Sequence, residues 1–320
     1  MLLFSCVLPC AVAYLAPPRR GAAARGLRPL RARIAFEGDP GSHPEEAALQ
    51  HFGADVETHS CASMAAVVLA VEKGEADFGM LPVENSISGS IHKSFDLLLE
   101  HDLRIAGETL LEVRHCLLAP PGGTVSAIRS NPRALEACAR FVDATGAAVE
   151  IAPSAAGAAR DVAAAGDAAV GALAGRLCAR RYGLEVVEAD VDDESGDYTR
   201  FLVLAKGDGP GPTTRPKTSL AFAVIDRPGS LAAALGEFGR RNINIVKIAS
   251  RPRRRQTGPG FYYVFFVGFE GTLDQDDCKA AVLSLLDHCA FVRNLGSYDA
   301  APPLEPRLDG VAADPSLLQI

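Results

Sequence analysis

A segment rich in proline and glycine, Lys206–Pro216, splits this 320-residue chain into two stretches with different hydrophobic rhythms. Before it, from Arg33 on, apolar strand-like runs alternate with helix-spaced segments. Strands are expected near 33–38, 55–60, 77–83, 148–152, 168–173, 185–189 and 198–205. Helices are expected near 43–52, 63–73, 89–101, 131–144, 154–165 and 175–181. The stretch 104–120 reads as one long strand crossing between two lobes. This alternation predicts an α/β domain with a mostly parallel sheet, and the late strand 198–205 returns the chain to the first lobe and leaves a cleft. After the linker the order is strand 217–225, helix 229–240, strand 242–250, a turn over 251–260, strand 261–269, helix 274–287 and strand 290–298. That β-α-β-β-α-β order is the ferredoxin-like split unit. The last residues, 300–320, carry four prolines and no periodicity, and are expected to be a loose tail.

Charge and cysteine usage narrow the function. The formal charge is −7, but residues 1–36 hold six arginines and no carboxylate, which leaves 26 basic against 39 acidic groups in the body. A body that acidic repels phosphate backbones, so nucleic acid is not an expected partner. No apolar run reaches the roughly 18–20 residues of a membrane span. The amino terminus reads as an address. Leu2–Val12 is a short apolar run with a small-x-small pattern at Ala11 and Ala13, followed by Arg19, Arg20, Arg25, Arg28, Arg31 and Arg33. A signal-like stretch before a transit-like one points to a plastid presequence over 1–32 and to the plastid stroma. Secretion would call for a disulfide-using body, and mitochondrial import for an amphipathic helix that these prolines oppose. Cys61, Cys116, Cys138, Cys178, Cys278 and Cys289 are scattered among apolar neighbours and form no C-x-x-C, so they are expected to be buried thiols. The histidines form no metal-ligand spacing, and there is no P-loop or G-x-G-x-x-G. No metal or cofactor is expected.

Two polar clusters stand at strand ends. Thr199 and Arg200 precede the apolar run Phe201–Ala205, and Asn85, Ser86, Ser88 and Ser90 follow strand 77–83. Ligands of α/β folds bind outside the carboxyl ends of strands, where the second cluster falls. A helix cap needs one polar residue, and this loop offers four, so ligand contact is expected there. Ser42 and Glu45 have the spacing of a capping box, which is either a plain strand-to-helix turn or a helix start whose N–H groups face the cleft. The run Arg251, Arg253, Arg254 and Arg255 reads as a solvated hairpin turn.

These stretches resemble the prephenate dehydratase family, including the arogenate dehydratases, with a carboxyl-terminal ACT domain. The resemblance rests on Gly38, Pro40 and Gly41; Pro82–Ser86 with Gly89 and Ser90; His115–Leu117; Thr199–Phe201; Pro228–Leu231; and Ser250–Pro252. It implies a two-lobed, periplasmic-binding-protein-like catalytic domain over 33–206, a linker over 207–216 and an ACT domain over 217–299. The implied activity is decarboxylative dehydration of prephenate or arogenate without a cofactor. Thr199 would be the hydrogen-bond donor to the departing hydroxide. Asn85, Ser86, Gly89, Ser90, Arg200, Phe201 and Ser42 would contact the substrate, although Arg200 suits a structural ion pair nearly as well. Phenylalanine would bind near Pro228, Gly229, Ser230, Leu231, Ser250 and Arg251, in a homodimer or homotetramer. Three places depart from the pattern. His43 and Pro44 replace the usual aromatic residue and serine after the first glycine motif, Asp197 replaces a common asparagine, and Ala249 replaces a glutamate. A competing reading is a non-catalytic amino-acid sensor built from a solute-binding cleft and an ACT domain.

Overall fold

The computed structural model describes residues 31–209, 211–254 and 261–302. Residues 1–30, which hold most of the expected presequence, the distal tail and Arg255 lie outside the described residues. The first lobe is built from β1 (Arg33–Glu37), α1 (His43–Phe52), β2 (Glu57–Cys61), α2 (Met64–Lys73), β3 (Phe78–Asn85), β4 (Gly89–Ser90), α3 (His92–Glu100) and β5 (Arg104–Glu112). The chain crosses to a second lobe made of β6 (Cys116–Ala119), β7 (Ala127–Ser130), α4 (Pro132–Ala137), α5 (Ala139–Thr145), β8 (Ala148–Ile151), α6 (Ala155–Ala165), β9 (Val170–Ala174), α7 (Arg176–Tyr182) and β10 (Glu185–Glu188). It returns as β11 (Tyr198–Ala205). The carboxyl-terminal unit is β12 (Pro216–Val224), α8 (Ser230–Gly239), β13 (Ile245–Arg254), β14 (Phe261–Glu270), α9 (Asp276–Leu285) and β15 (Cys289–Asp299).

Local chemistry starts and stops these elements. Ser63, Asn131 and Ser154 accept hydrogen bonds from the backbone N–H groups of Ala66, Ala134 and Gly157, capping α2, α4 and α6. Val67, Val68 and Val71 put a buried stripe of α2 on the first sheet. The long strand expected over 104–120 is two strands broken at the crossing, and the helix over 131–144 is broken at Cys138. Strand β7 had no expectation, because Ala127–Ser130 is short and has no apolar alternation.

The first sheet has the order β2-β1-β3-β11-β5, with β4 on β3, and the second the order β10-β6-β9-β7-β8. Neither is mostly parallel. β1 runs parallel to β2 and β3, but β11 is antiparallel to β3 and β5. The reason is topological: a strand that re-enters from the other lobe comes from the opposite end. In the second sheet β7 is parallel to β8 and β9, while β6 is antiparallel to β9 and β10.

The third sheet has the order β13-β14-β12-β15, and its two faces differ. Leu220, Phe222, Val267 and Phe269 pack under α8 and α9. Ala221, Val264, Phe266, Leu295 and Tyr298 face the other way and join one core with Val83, Phe95, Leu202 and Leu204 of the first lobe. Phe95 and Phe266 meet with ring centroids 4.8 Å apart. The linker is tied down too. Asp299 accepts the backbone N–H groups of Thr213, Thr214 and Arg215 at 2.9, 2.9 and 2.7 Å. Burial works against that carboxylate, yet these donors hold its pKa well below the usual range. Among the described residues, no helix is long and apolar enough to cross a membrane.

Where β15 meets β5 the two backbones touch. Gly296 has φ +142°, and a Cβ there would sit 2.3 Å from the Ile105 carbonyl oxygen. Gly296→Ala is therefore expected to destabilise the protein by ~2 kcal/mol or more. The measurement is thermal unfolding, and an unchanged Tm would contradict this packing.

Candidate active site

Antiparallel pairing of β3 with β11 sets Asn85, the last residue of one, opposite Thr199, near the start of the other. Both are nearly buried, at 2% and 8% exposure. The Asn85 carboxamide is fully used. Its oxygen accepts from the N–H groups of Ile87 and Ser88, at 3.2 and 2.8 Å, and from the Ser88 hydroxyl at 2.9 Å. Two backbone donors on one atom fix that atom as the oxygen, so the nitrogen faces β11. It donates to the Thr199 hydroxyl at 3.1 Å, to the Tyr198 carbonyl at 3.3 Å and to the Asp197 carboxylate.

The direction of that bond decides what Thr199 can do. A hydroxyl that accepts from an amide keeps its own proton to give, and the amide cannot take a proton away. Thr199 is thus arranged as a donor, not as an activated nucleophile, which would need a base in contact.

Strand alternation separates the other expected residues. Thr199, Phe201 and Val203 face α1, and Arg200, Leu202 and Leu204 face the third sheet. Phe201, 2% exposed, packs with Ile34, Phe36 and Met80, so it is core and not a substrate contact. Arg200 pairs with Glu84 at 3.1 Å and with Glu108, on the face away from Thr199. Its guanidinium is spent in a structural network that also holds Lys217 on Glu108 at 2.6 Å. A cavity of about 1050 Å³ opens on that far face, lined by Glu84, Glu108, Arg200, Lys217 and Lys247 among others. The Ser86 hydroxyl accepts from Tyr198 N–H at 2.9 Å and donates to the Gly196 carbonyl at 3.1 Å, which ties the loop to the returning chain. Gly89 and Ser90 form β4, folded back against Asn85 and Glu84, so α3 starts at His92 and not near Gly89.

Ser42 occupies the N-cap of α1, but its side chain caps nothing. Glu45 does not close a capping box with it either. The Glu45 carboxylate, fully buried, accepts from Gly41 N–H at 2.5 Å and from Thr58 at 2.6 Å, and pairs with Arg181. The Ser42 hydroxyl is left buried with no hydrogen-bond partner. An orphaned polar atom beside a helix start is the feature expected where a ligand oxygen binds.

The second lobe closes on this edge. Asp39 pairs with Arg160 and accepts from Ser154, both at 2.6 Å, Cys178 donates to the Gly41 carbonyl at 3.2 Å, and Tyr182 donates to that of Pro40. A Cβ on Gly175, the N-cap of α7, would lie 3.1 Å from His43 Nε2, so the starts of α1 and α7 oppose each other.

The hinge carries a brace that sequence spacing could not reveal, because its members are 77 residues apart. His115 donates its backbone N–H to Asp192 at 2.7 Å and pairs Nδ1 with the same carboxylate at 2.6 Å. Burial opposes ionisation of Asp192, but these bonds win and lower its pKa. Cys138 brings a third ligand-type atom, all within 4.8 Å. Burial pushes the Cys138 thiol up to about 12, however, and both Asp192 oxygens are engaged, so the cluster serves as a brace. All six described cysteines are buried and free.

The residues expected to hold phenylalanine divide similarly. Gly229 takes φ +84° at the start of α8, and the Gly229–Leu231 turn borders an open hollow of about 460 Å³. Ser250 is exposed on the outer face of β13. Arg251 points inward and pairs with Asp96 at 2.8 Å, and Arg253 pairs with Asp96 at 3.1 Å and Glu100 at 3.4 Å. Arg251 is thus a domain contact whose Nε is left buried without a hydrogen-bond partner, and it and Arg253 do not form a solvated turn.

Comparison with known proteins agrees with this architecture. A family model described as prephenate dehydratase matches residues 34–209, and one described as ACT domain matches residues 218–276. An Arabidopsis thaliana protein named arogenate dehydratase/prephenate dehydratase 1, chloroplastic, is 38% identical over 283 residues, 84% of this chain and 72% of that protein. A solved prephenate dehydratase from Arthrobacter aurescens, in complex with L-Phe, superposes with TM-score 0.73 at 29% identity over 83% of this chain and 89% of its own. A solved protein described as GqqA, a novel type of quorum quenching acylase, gives TM-score 0.75 at 30% identity over 84% and 98%.

The His43 ring, edge-on to His115 at 5.3 Å, has a pKa pushed down from 6.5 to about 4, first by burial and then by that neighbour. A depressed folded-state value means the unfolded chain binds the proton first. His43 therefore contributes stability above about pH 6.5 that is lost as the pH falls toward 4, up to ~3 kcal/mol. Denaturant titrations from pH 7.5 to 4.5 should show a shallower loss for His43→Gln than for the parent. Parallel slopes would contradict the assignment.

Proposed function

Because the chain belongs to the prephenate dehydratase family and carries an ACT domain, we propose that it catalyses decarboxylative dehydration of prephenate or arogenate. The products are phenylpyruvate and phenylalanine respectively, and phenylalanine regulates the enzyme through the ACT domain. The reaction expels carbon dioxide from the ring carbon and the 4-hydroxyl as hydroxide, which takes a proton from solvent to become water. The electrons of the broken C–C bond flow into the ring as the C–O bond breaks, and aromatisation drives the step. Such a carbon–oxygen lyase needs no nucleophile. It needs its substrate carboxylates held and a donor at the departing oxygen.

The single observation that carries the reading is the Asn85-to-Thr199 hydrogen bond, which leaves the Thr199 proton available. The hydroxyl's own pKa is far too high for a strong acid, so its contribution is a hydrogen bond that strengthens as hydroxide leaves. The orphaned Ser42 hydroxyl and the start of α1 suit a substrate carboxylate. Acyl hydrolysis, suggested by the likeness to the acylase, fits less well, because Asn85 cannot serve Thr199 as a base. The chloroplastic relatives and the arginine-rich amino terminus support a plastid enzyme, working in the stroma. The Gly229–Leu231 hollow and Ser250 are our candidates for the phenylalanine site, shared between protomers of a homodimer or homotetramer.

Thr199→Val is expected to keep substrate affinity and lose ~10²–10³ in kcat. An unchanged kcat would refute the donor role, and a parent protein that binds either substrate without turnover would favour the sensor. Asp197, beside the donor, adds negative charge that suits the ammonium of arogenate better than the keto acid of prephenate. Asp197→Asn should raise kcat/KM for prephenate relative to arogenate by about tenfold, equivalent to ~1.4 kcal/mol. A ratio that stays put in side-by-side assays removes Asp197 from substrate choice.

A further inference from the structure

Strand β13 grips the Asn85–Ser90 loop from both ends. On one face of the strand, at alternate positions, stand Lys247, Arg251 and Arg253. Lys247 Nζ meets Glu84 Oε1 at 2.6 Å, and Glu84 is the residue immediately before the loop. Arg251 and Arg253 hold Asp96 of α3, the helix that follows the loop. Ala249, between them, packs on the core shared with the first lobe. The other face of β13 is open to solvent, with Val246 46% and Ile248 50% exposed and Ser250 beside them.

Glu84 divides its carboxylate. One oxygen takes Lys247, and the other accepts from Arg200 Nε at 3.1 Å. Arg200 and Glu84 are register partners, one step along from the Thr199 and Asn85 pair. The same four backbone positions thus carry an ion pair on the ACT side and the donor pair on the cleft side. The register slips between Arg200 and Phe201, a bulge of the sort that re-aims neighbouring side chains. Lys247 is held against Phe95 as well, with its ammonium 5.7 Å from the ring centroid.

We propose that Lys247 is a positioning residue for the dehydration: by holding Glu84 it fixes Arg200 and the strand mouth that orients Thr199, and so lets displacement of β13 alter turnover. The proposal rests on the dehydratase reading. Lys247 touches no substrate. It acts through Glu84, and the two are joined by a part-buried ion pair whose loss leaves Glu84 with Arg200 alone. A ligand bound on the open face of β13 would need to shift that strand only slightly, because an ion pair at 2.6 Å weakens with small separations.

The test compares the parent, Lys247→Met and Lys247→Arg as full chains. Methionine keeps much of the apolar stem and removes the charge, and arginine restores the charge. For Lys247→Met we expect kcat to fall about tenfold with KM within about twofold, within the usual range of coupling between sites. The response of kcat to phenylalanine should disappear, while calorimetry shows phenylalanine bound with the parent's Kd. Lys247→Arg should recover both. A second readout is independent of turnover: the Asn85 side-chain amide resonance should shift in Lys247→Met and return in Lys247→Arg. Parent-like kcat and phenylalanine response together with an unmoved Asn85 resonance would overturn the proposal. A kcat loss that Lys247→Arg does not rescue would overturn it too. If the parent turns over neither substrate, the dehydratase reading fails, and the Asn85 resonance alone decides whether Lys247 positions the strand mouth.

Discussion

Everything at the cleft depends on β11 entering between β3 and β5. The strand comes back after an excursion of some 85 residues, and its antiparallel entry is what sets Thr199 opposite Asn85. A parallel strand in that lane would have put the far end of β11 there. One pairing therefore sets three things together: the donor pair facing α1, the ion pair facing the third sheet, and the hinge. The hinge follows because the returning chain also bonds back to the outgoing one, from Val113 N–H to the Asp197 carbonyl at 2.7 Å. Loop-closure entropy opposes such a contact, and the buried run Phe201–Ala205 supplies the offsetting burial.

Most of the architecture was legible because it rests on local rhythm. Apolar alternation located nearly every strand, helical spacing of apolar residues located the helices, and the proline–glycine run marked the change of unit. The polar clusters at 85–90 and 199–200 were legible as candidates, because polar residues stand out beside apolar strands. What stayed hidden was which face each residue of a cluster takes. Thr199 and Arg200 are neighbours in sequence and point to opposite sides of one sheet, and that follows only when the sheet's two coverings are known. Phe201 likewise continued a motif in sequence while belonging to the core in space.

The capping box at Ser42 failed for an instructive reason. Glu45 has the correct spacing, but a buried carboxylate is costly without strong partners, and Arg181, Thr58 and Gly41 N–H satisfy it better than the Ser42 N–H would. Two of those partners are distant in sequence, so no local pattern could announce them. Arg251 and Arg253 repeat the lesson. A cluster of arginines looks solvated until the acidic residues of α3 are placed across from it. The His115–Asp192 brace spans 77 residues, so the motif at His115–Leu117 could not reveal its partner.

The core shared between the first lobe and the ACT sheet bears on how such a chain can change over generations. A composition boundary at Lys206–Pro216 invites the idea that one part could be exchanged for another by recombination. Phe266, Tyr298 and Leu295 would then leave Val83, Leu202 and Leu204 exposed, and the close approach of Gly296 to Ile105 would demand a glycine at one position of any replacement. The two parts are joined as interlocking pieces, so substitutions on one side constrain those tolerated on the other. Because the seam runs through the core instead of the linker, exchanging either part alone would expose apolar surface on the other.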